Sequence, residues 1–135
     1  MKAMFDINVV LDIIGRREPF AGAADAAYVH AVELGDRPFL AAHAYATLFY
    51  LLGASATRKR RKAAMDWLFE SFSAACVGER ELATARSYAM TDFEDAMVSA
   101  AAVSAGCDVI VTRNCADFVG SPVTAVSPEG FVGMS

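Results

Sequence analysis

The sequence predicts an α/β fold, a three-layer α/β/α domain with a central parallel sheet. Short apolar or β-branched runs alternate with longer helical patterns along the chain, as expected when parallel strands are joined by crossover helices. The composition is 56% hydrophobic and 21% charged, which is enough apolar material to cover both faces of a sheet and too much for a disordered chain. No repeat, low-complexity tract or long linker divides the 135 residues, so one domain over residues 1–135 is expected.

Each element follows in order. "KAMFD" reads as a first strand ending at Asp6. "INVVLDIIG" reads as a short helix stopped at Gly15. "EPF" opens a loop before "AGAADAAYVHAVELG", an alanine-rich helix closed at Gly35. "RPFLAA" is a second strand and "HAYATLFYLLGAS" a helix. "TRKRRKAAMDWLFESF" is another helix, with Met65, Leu68 and Phe69 at helical spacing. "SAACVG" supplies a third strand and "ERELATARSYAM" a shorter helix. "TDFEDAMVSAAAVSAG" is the clearest helix, with Thr91 as expected cap, Glu94 completing a capping box and Gly106 as its end. "DVIVT" is a fourth strand that breaks into a polar turn. A last strand spans Val123 to Val126, and "SPEGF" starts a final helix.

A formal net charge of −4 excludes a uniformly basic nucleic-acid binder but leaves room for a local basic patch. No apolar run approaches the roughly 20 residues of a membrane span, and no long apolar leader opens the chain. Cys76, Cys107 and Cys115 follow no ligand spacing. An odd count without a signal sequence suggests reduced thiols and a cytoplasmic location, with the thiols acting as small hydrophobes.

The acids stand at element ends. Asp6 follows the first strand, Asp92 and Asp95 open the "TDFEDAM" helix, and Asp117 follows the "VIVT" strand. Taken singly, each could be a helix cap. Taken together, they can share the carboxyl edge of a parallel sheet, where such folds bind ligands. Converging carboxylates repel unless a cation sits among them. A hard divalent ion takes oxygen ligands and can activate water for phosphodiester cleavage.

Three segments, "MKAMFDINVVLD", "TDFEDAMVSAAAVSAGCDVIVTRNCADF" and "VSPEGF", together resemble the PIN domain family from end to end of the chain, with a weakly marked middle. The resemblance implies a small α/β/α nuclease that cleaves RNA with Mg²⁺ or Mn²⁺. Many bacterial relatives are VapC-like toxins restrained by an antitoxin protein, and they are often homodimers. Position by position, Asp6, Asp95 and Asp117 match the family's metal acids and Asp92 an additional acid. Thr112 and Asn114 match polar residues that hold the site together through hydrogen bonds to the carboxylates. Asn8, two residues after Asp6, stands beside them as a supporting residue.

One family acid is missing. The glutamate usual in the helix after the second strand is absent from "AHAYATLFYLL", where Thr47 is taken as its equivalent. His43, four residues earlier, shares a helix face with Thr47 and could compensate as a neutral ligand or proton carrier; otherwise it satisfies a local hydrogen bond. The run Arg58, Lys59, Arg60, Arg61 and Lys62, together with Arg113, is the expected RNA- or partner-facing set; otherwise the run is a solvated face. Trp67, Phe69 and Phe72 are expected in the core or in a dimer interface.

Two other functions compete. A phosphatase of the haloacid-dehalogenase type also begins with an aspartate after its first strand, but needs a second aspartate where this chain has Asn8. A PIN-like domain that binds RNA or a partner without cutting would account for the missing glutamate.

Overall fold

The computed structural model describes all residues, Met1–Ser135. Five short strands, β1 (Ala3–Phe5), β2 (Phe39–Ala41), β3 (Ser73–Ala75), β4 (Val109–Val111) and β5 (Thr124–Val126), alternate with seven helices. These are α1 (Ile7–Ile14), α2 (Ala21–Glu33), α3 (Ala42–Gly53), α4 (Arg58–Ser71), α5 (Glu79–Ser87), α6 (Phe93–Ala105) and α7 (Pro128–Val132), with a 3₁₀ turn at Cys115–Phe118. The strands form one sheet in the order β3-β2-β1-β4-β5. Every pairing is parallel, with Phe5 opposite Val111 and Val111 opposite Val126.

Successive strand residues point to opposite faces, and the two cores divide accordingly. Ala3, Phe5, Val109 and Val111 pack with residues of α1 to α4 and α7, including Val9, Leu48, Leu68 and Phe131. Met4 and Ile110 face the other way, onto Val98, Ala101 and Ala102 of α6. Small residues on α6 let it lie close to the sheet, and Ala96 and Ala100 then meet Ala85 of α5. The three layers thus follow from alternation within strands of only three residues. Phe5 and Phe72, each 2% exposed or less and packed edge to face at 5.8 Å, each contribute burial worth about 2–3 kcal/mol.

The helix boundaries follow the sequence reading with one change at the site. Asp92, not Thr91, caps α6: its carboxylate accepts the Asp95 N–H at 3.0 Å. Thr91 fits the threonine-to-glutamate capping pattern, but the aspartate one residue later takes the extended cap conformation, and the register of the first turn moves by one. Gly106 ends α6 at φ +74 and returns its N–H to the carbonyls of Ala102 and Val103, the left-handed stop that glycine allows. The last strand begins at Thr124, with Val123 buried just before it. No helix is long and apolar enough to cross a membrane.

The chain winds from β1 outward through β2 to β3, then returns to the other side of β1 with β4 and β5. β1 and β4 therefore flank the point where the winding reverses. Their carboxyl ends open the crevice in which folds of this type hold ligands.

Candidate functional site

Asp6 and Thr112 are the residues immediately after β1 and β4. Asp6 N–H continues the ladder to the Val111 carbonyl at 3.0 Å, and Thr112 N–H does so to that of Val126 at 3.0 Å. Both side chains are therefore fixed by the sheet. Asp6 also caps α1, its Oδ1 accepting the Ile7 N–H at 2.8 Å. Its Oδ2 accepts the Thr112 hydroxyl at 2.8 Å and the Asn8 amide at 3.2 Å. Asn8 ties the two strand ends together. Its Nδ2 also reaches Thr112 Oγ1 at 3.2 Å, and its Oδ1 accepts the Arg113 N–H at 3.2 Å.

The remaining acids arrive on other elements. Asp92 and Asp95 lie at the start of α6, and Asp117 lies on the 3₁₀ turn, its N–H bonded to the Asn114 carbonyl at 3.0 Å. Their fields overlap. Desolvation, followed by the charges of Asp6, Asp92, Asp117 and Glu94, pushes the Asp95 carboxyl up to about 7. Burial raises Asp6 as well, against the lowering effect of its bonds from Thr112 and Ile7, with Glu94 and Asp117 adding to the rise. Glu94 is raised by burial and by Asp92.

No cation of the chain answers this charge. The ion pairs are Arg16–Asp25, Arg17–Asp12, Lys62–Asp66 and Arg113–Asp12, and none includes a site acid. A group of hard oxygen donors sharing one electrostatic field with no internal counter-charge suits a divalent cation. No three His, Cys, Asp or Glu side chains are drawn together closely enough to hold an ion as they stand. Asp6, with both oxygens engaged and its residue 7% exposed, is the fixed member. Asp95 and Asp117 stand on separate elements around it.

Several expected site residues behave differently from the sequence reading. Asn114 makes no side-chain bond to a carboxylate; its backbone N–H donates to Thr112 Oγ1 at 3.0 Å, so Thr112 alone delivers the hydroxyl to Asp6. Arg113, expected on the RNA- or partner-facing surface, is turned inward. Its Nε donates to Asp12 at 2.6 Å and its guanidinium lies 3.9 Å from the centre of the Phe20 ring. Thr47 spends its hydroxyl on the His43 carbonyl of its own helix at 3.3 Å. The His43 ring is different: neither nitrogen has a hydrogen-bond partner, and both are buried. Burial lowers the His43 pKa, and the charge of Asp6, within electrostatic reach, works to raise it. His30 instead bonds the Met134 carbonyl at 2.6 Å, a structural role.

The basic run opens α4 under the Thr57 cap. Arg61 lies 4.0 Å from the centre of the Phe49 ring and Lys62 pairs with Asp66 at 3.0 Å, so these two are partly engaged on the surface. Phe72 is core, Trp67 is partly buried beside it, and Phe69 is exposed, stacked on Tyr45 at 5.1 Å. Two acids escaped the sequence reading. Glu94 had been given to a capping box, although its place one residue before Asp95 was the available signal. Asp12 is fully buried, and nothing local in "VVLDII" marks its partner. A cavity of about 790 Å³, lined by Ile13, Leu52, Ala63 and Trp67 among others, includes none of Asp6, Asp92, Asp95 and Asp117.

The acids therefore stand on separate elements near the point where the strand order of this parallel α/β domain reverses, with no chain cation paired to them. The sequence matches the PIN domain family over residues 2–116, and the chain belongs to that family, whose members are generally nucleases using divalent metals. No curated protein matches the chain at the sequence level. Solved structures share its fold. VapBC2 from Rickettsia felis, bound to a DNA fragment from its promoter, superposes with TM-score 0.72 at 12% identity, covering 94% of this chain and 98% of that one. VapBC-1 from nontypeable Haemophilus influenzae gives 0.71 at 16% identity, covering 95% and 98%. A toxin–antitoxin complex from Klebsiella pneumoniae gives 0.66 at 22% identity, covering 94% and 98%.

Proposed function

We propose that this chain is a metal-dependent endoribonuclease and the toxin of a toxin–antitoxin pair. The observation that carries the reading is the match to the PIN domain family over residues 2–116, borne by a chain in which Asp6 is fixed at the end of β1 and Asp92, Asp95 and Asp117 stand on separate elements with no chain cation paired to them. Asp6, Asp95 and Asp117 would hold Mg²⁺ or Mn²⁺. When bound, such an ion supplies an activated water and neutralises phosphate charge. The chain's own residues do the rest. Thr112 and Asn8 orient Asp6, and Asp92 caps α6 so that Asp95 starts its first turn. Thr47 replaces the family glutamate, and the unpartnered His43 ring adds a neutral nitrogen donor within electrostatic reach of Asp6. Arg58, Lys59, Arg60, Arg61 and Lys62 give RNA phosphates or an acidic antitoxin segment a cationic track. A homodimer in the cytoplasm, paired with an antitoxin, completes the reading; the similarity in fold to the VapBC structures supports the antitoxin partner.

The test is cleavage of a total RNA pool with Mn²⁺ or Mg²⁺, comparing wild type, wild type with chelator, and Asp95→Asn. Cleavage by the metal-loaded wild type alone is expected. Equal cleavage by Asp95→Asn would remove the reading. A second reading, a non-cutting RNA- or partner-binding domain, is favoured by Thr47, whose hydroxyl serves its own helix. Absence of both cleavage and Mn²⁺ binding would select it.

A further inference from the structure

We propose that the pair formed by buried Asp12 and half-buried Arg113 is a positioning device that sets the loop after β4 against α1 and so fixes the carboxylate of Asp6. This rests on the nuclease reading above. Asp12 is fully buried on the inner face of α1. Arg113 approaches it with two nitrogens, Nε at 2.6 Å and Nη2 at 3.3 Å. That fork is available to a guanidinium and not to an ammonium. Phe20 backs the guanidinium at 3.9 Å, and Arg17 reaches Asp12 from solvent at 3.5 Å.

The placement of Arg113 in the chain turns this anchor into a site element. Arg113 sits between Thr112 and Asn114, and its backbone N–H is bonded to Asn8 Oδ1 at 3.2 Å. The same Asn8 side chain donates to Asp6 Oδ2 and Thr112 Oγ1, each at 3.2 Å. The Asn114 N–H then closes on Thr112 Oγ1 at 3.0 Å. With Arg113 drawn inward, the Thr112 hydroxyl has one free direction for its proton, toward Asp6 at 2.8 Å. The pair touches no site acid itself and acts through Asn8 and Thr112.

Breaking a buried pair from one side leaves a lone charge, whereas replacing both partners with apolar residues of similar volume is often neutral. The informative variant is therefore the double substitution Asp12→Leu with Arg113→Met, beside the single Arg113→Lys. Three measurements are made on the full chain: thermal melting, amide hydrogen exchange, and Mn²⁺ affinity by calorimetry. The double variant is expected to melt near wild type. Its Arg113 and Asn114 amides exchange faster, while the ladder amides of Asp6 and Thr112 stay protected. Its Mn²⁺ affinity falls about tenfold or more, the range for groups that orient metal ligands. Arg113→Lys falls between the two, keeping the charge without the fork. Unchanged Mn²⁺ affinity with unchanged exchange at Arg113 and Asn114 would reduce the pair to packing and overturn the proposal. Uniformly faster exchange across the sheet would overturn it too, as a loss of stability alone. Failure of the wild type to bind Mn²⁺ would instead defeat the nuclease reading, and the positioning role with it.

Discussion

Asp12 and Asp95 are both carboxylates held in helices beside the same strand ends, and the fold treats them in opposite ways. Asp12 is fully buried and met by Arg113 and Arg17. Asp95 is partly buried, faces four other acids and meets no cation. A buried carboxylate supplied with its own counter-charge is a structural element. One left without it carries an electrostatic cost that nothing in the chain offsets. The contrast separates a paired aspartate from unpaired ones, which residue type and spacing could not do.

The comparison breaks most directly at Asp95. Replacing it with Asn should lower metal-dependent RNA cleavage by more than about a hundredfold, beyond the loss typical of groups that only orient ligands. The same variant should be more stable than wild type in metal-free buffer at about pH 8, because it removes a repelled charge; solvent screening at this partly exposed site keeps the gain to about 1 kcal/mol. Urea unfolding checks the sign. A variant less stable than wild type would show Asp95 to be a structural cap.

Asp12 should give the opposite result. Arg113→Ala leaves the Asp12 charge buried with only Arg17 at 3.5 Å, and should lower stability by about 3 kcal/mol. Equilibrium unfolding of that variant measures it. A change below about 0.5 kcal/mol would place the pair among ordinary surface contacts.

Acidity sharpens the contrast further. The folded-state pKa of Asp95 is raised from 3.8 to about 7, so between those values the folded chain binds more protons than the unfolded one. Metal-free stability should therefore fall as pH rises through this window and level off above it. A ligating carboxylate must be deprotonated, so adding Mn²⁺ at about pH 6.5 should release protons, and the release should be absent in Asp95→Asn. Proton release measured in weak buffer tests both statements. Glu81 supplies the smallest effect and the reverse sign. Bonds from the Gly78 N–H, first, and from the Ser104 hydroxyl hold its carboxyl down to about 2. Its contribution is complete above its ordinary value of 4.5 and is lost as pH falls toward about 2. Glu81→Gln should flatten the acid limb of the stability profile without altering cleavage.

Much of this was legible in the sequence. The alternation of apolar runs and helical patterns located all five strands, because parallel strands buried on both faces carry continuous apolar character. Asp6, Asp92, Asp95 and Asp117 were expected at element ends, and the structure places Asp6 and Asp92 at helix caps, Asp95 in the first turn of α6 and Asp117 on the 3₁₀ turn; their role in a site is a proposal. Arg113 was misread because a charged residue in a polar turn looks exposed, and its partner lies 101 positions away. Glu94 was hidden by the capping pattern, since that pattern matches at Thr91 while the extended backbone at Asp92 decides the cap. Side-chain direction within a turn depends on tertiary neighbours, and those do not appear in local spacing.

The bond between the Thr112 hydroxyl and Asp6 joins residues 106 positions apart. β1 thus stays without its β4 neighbour until the intervening residues have been synthesised. A growing polypeptide on the ribosome carries Asp6 long before it carries Thr112, Asn114 and Asp117. The end of β1 can meet the end of β4 only after β2, β3 and their helices have left the tunnel, so the hydrogen-bond network around Asp6 is a late product of folding and not a local one.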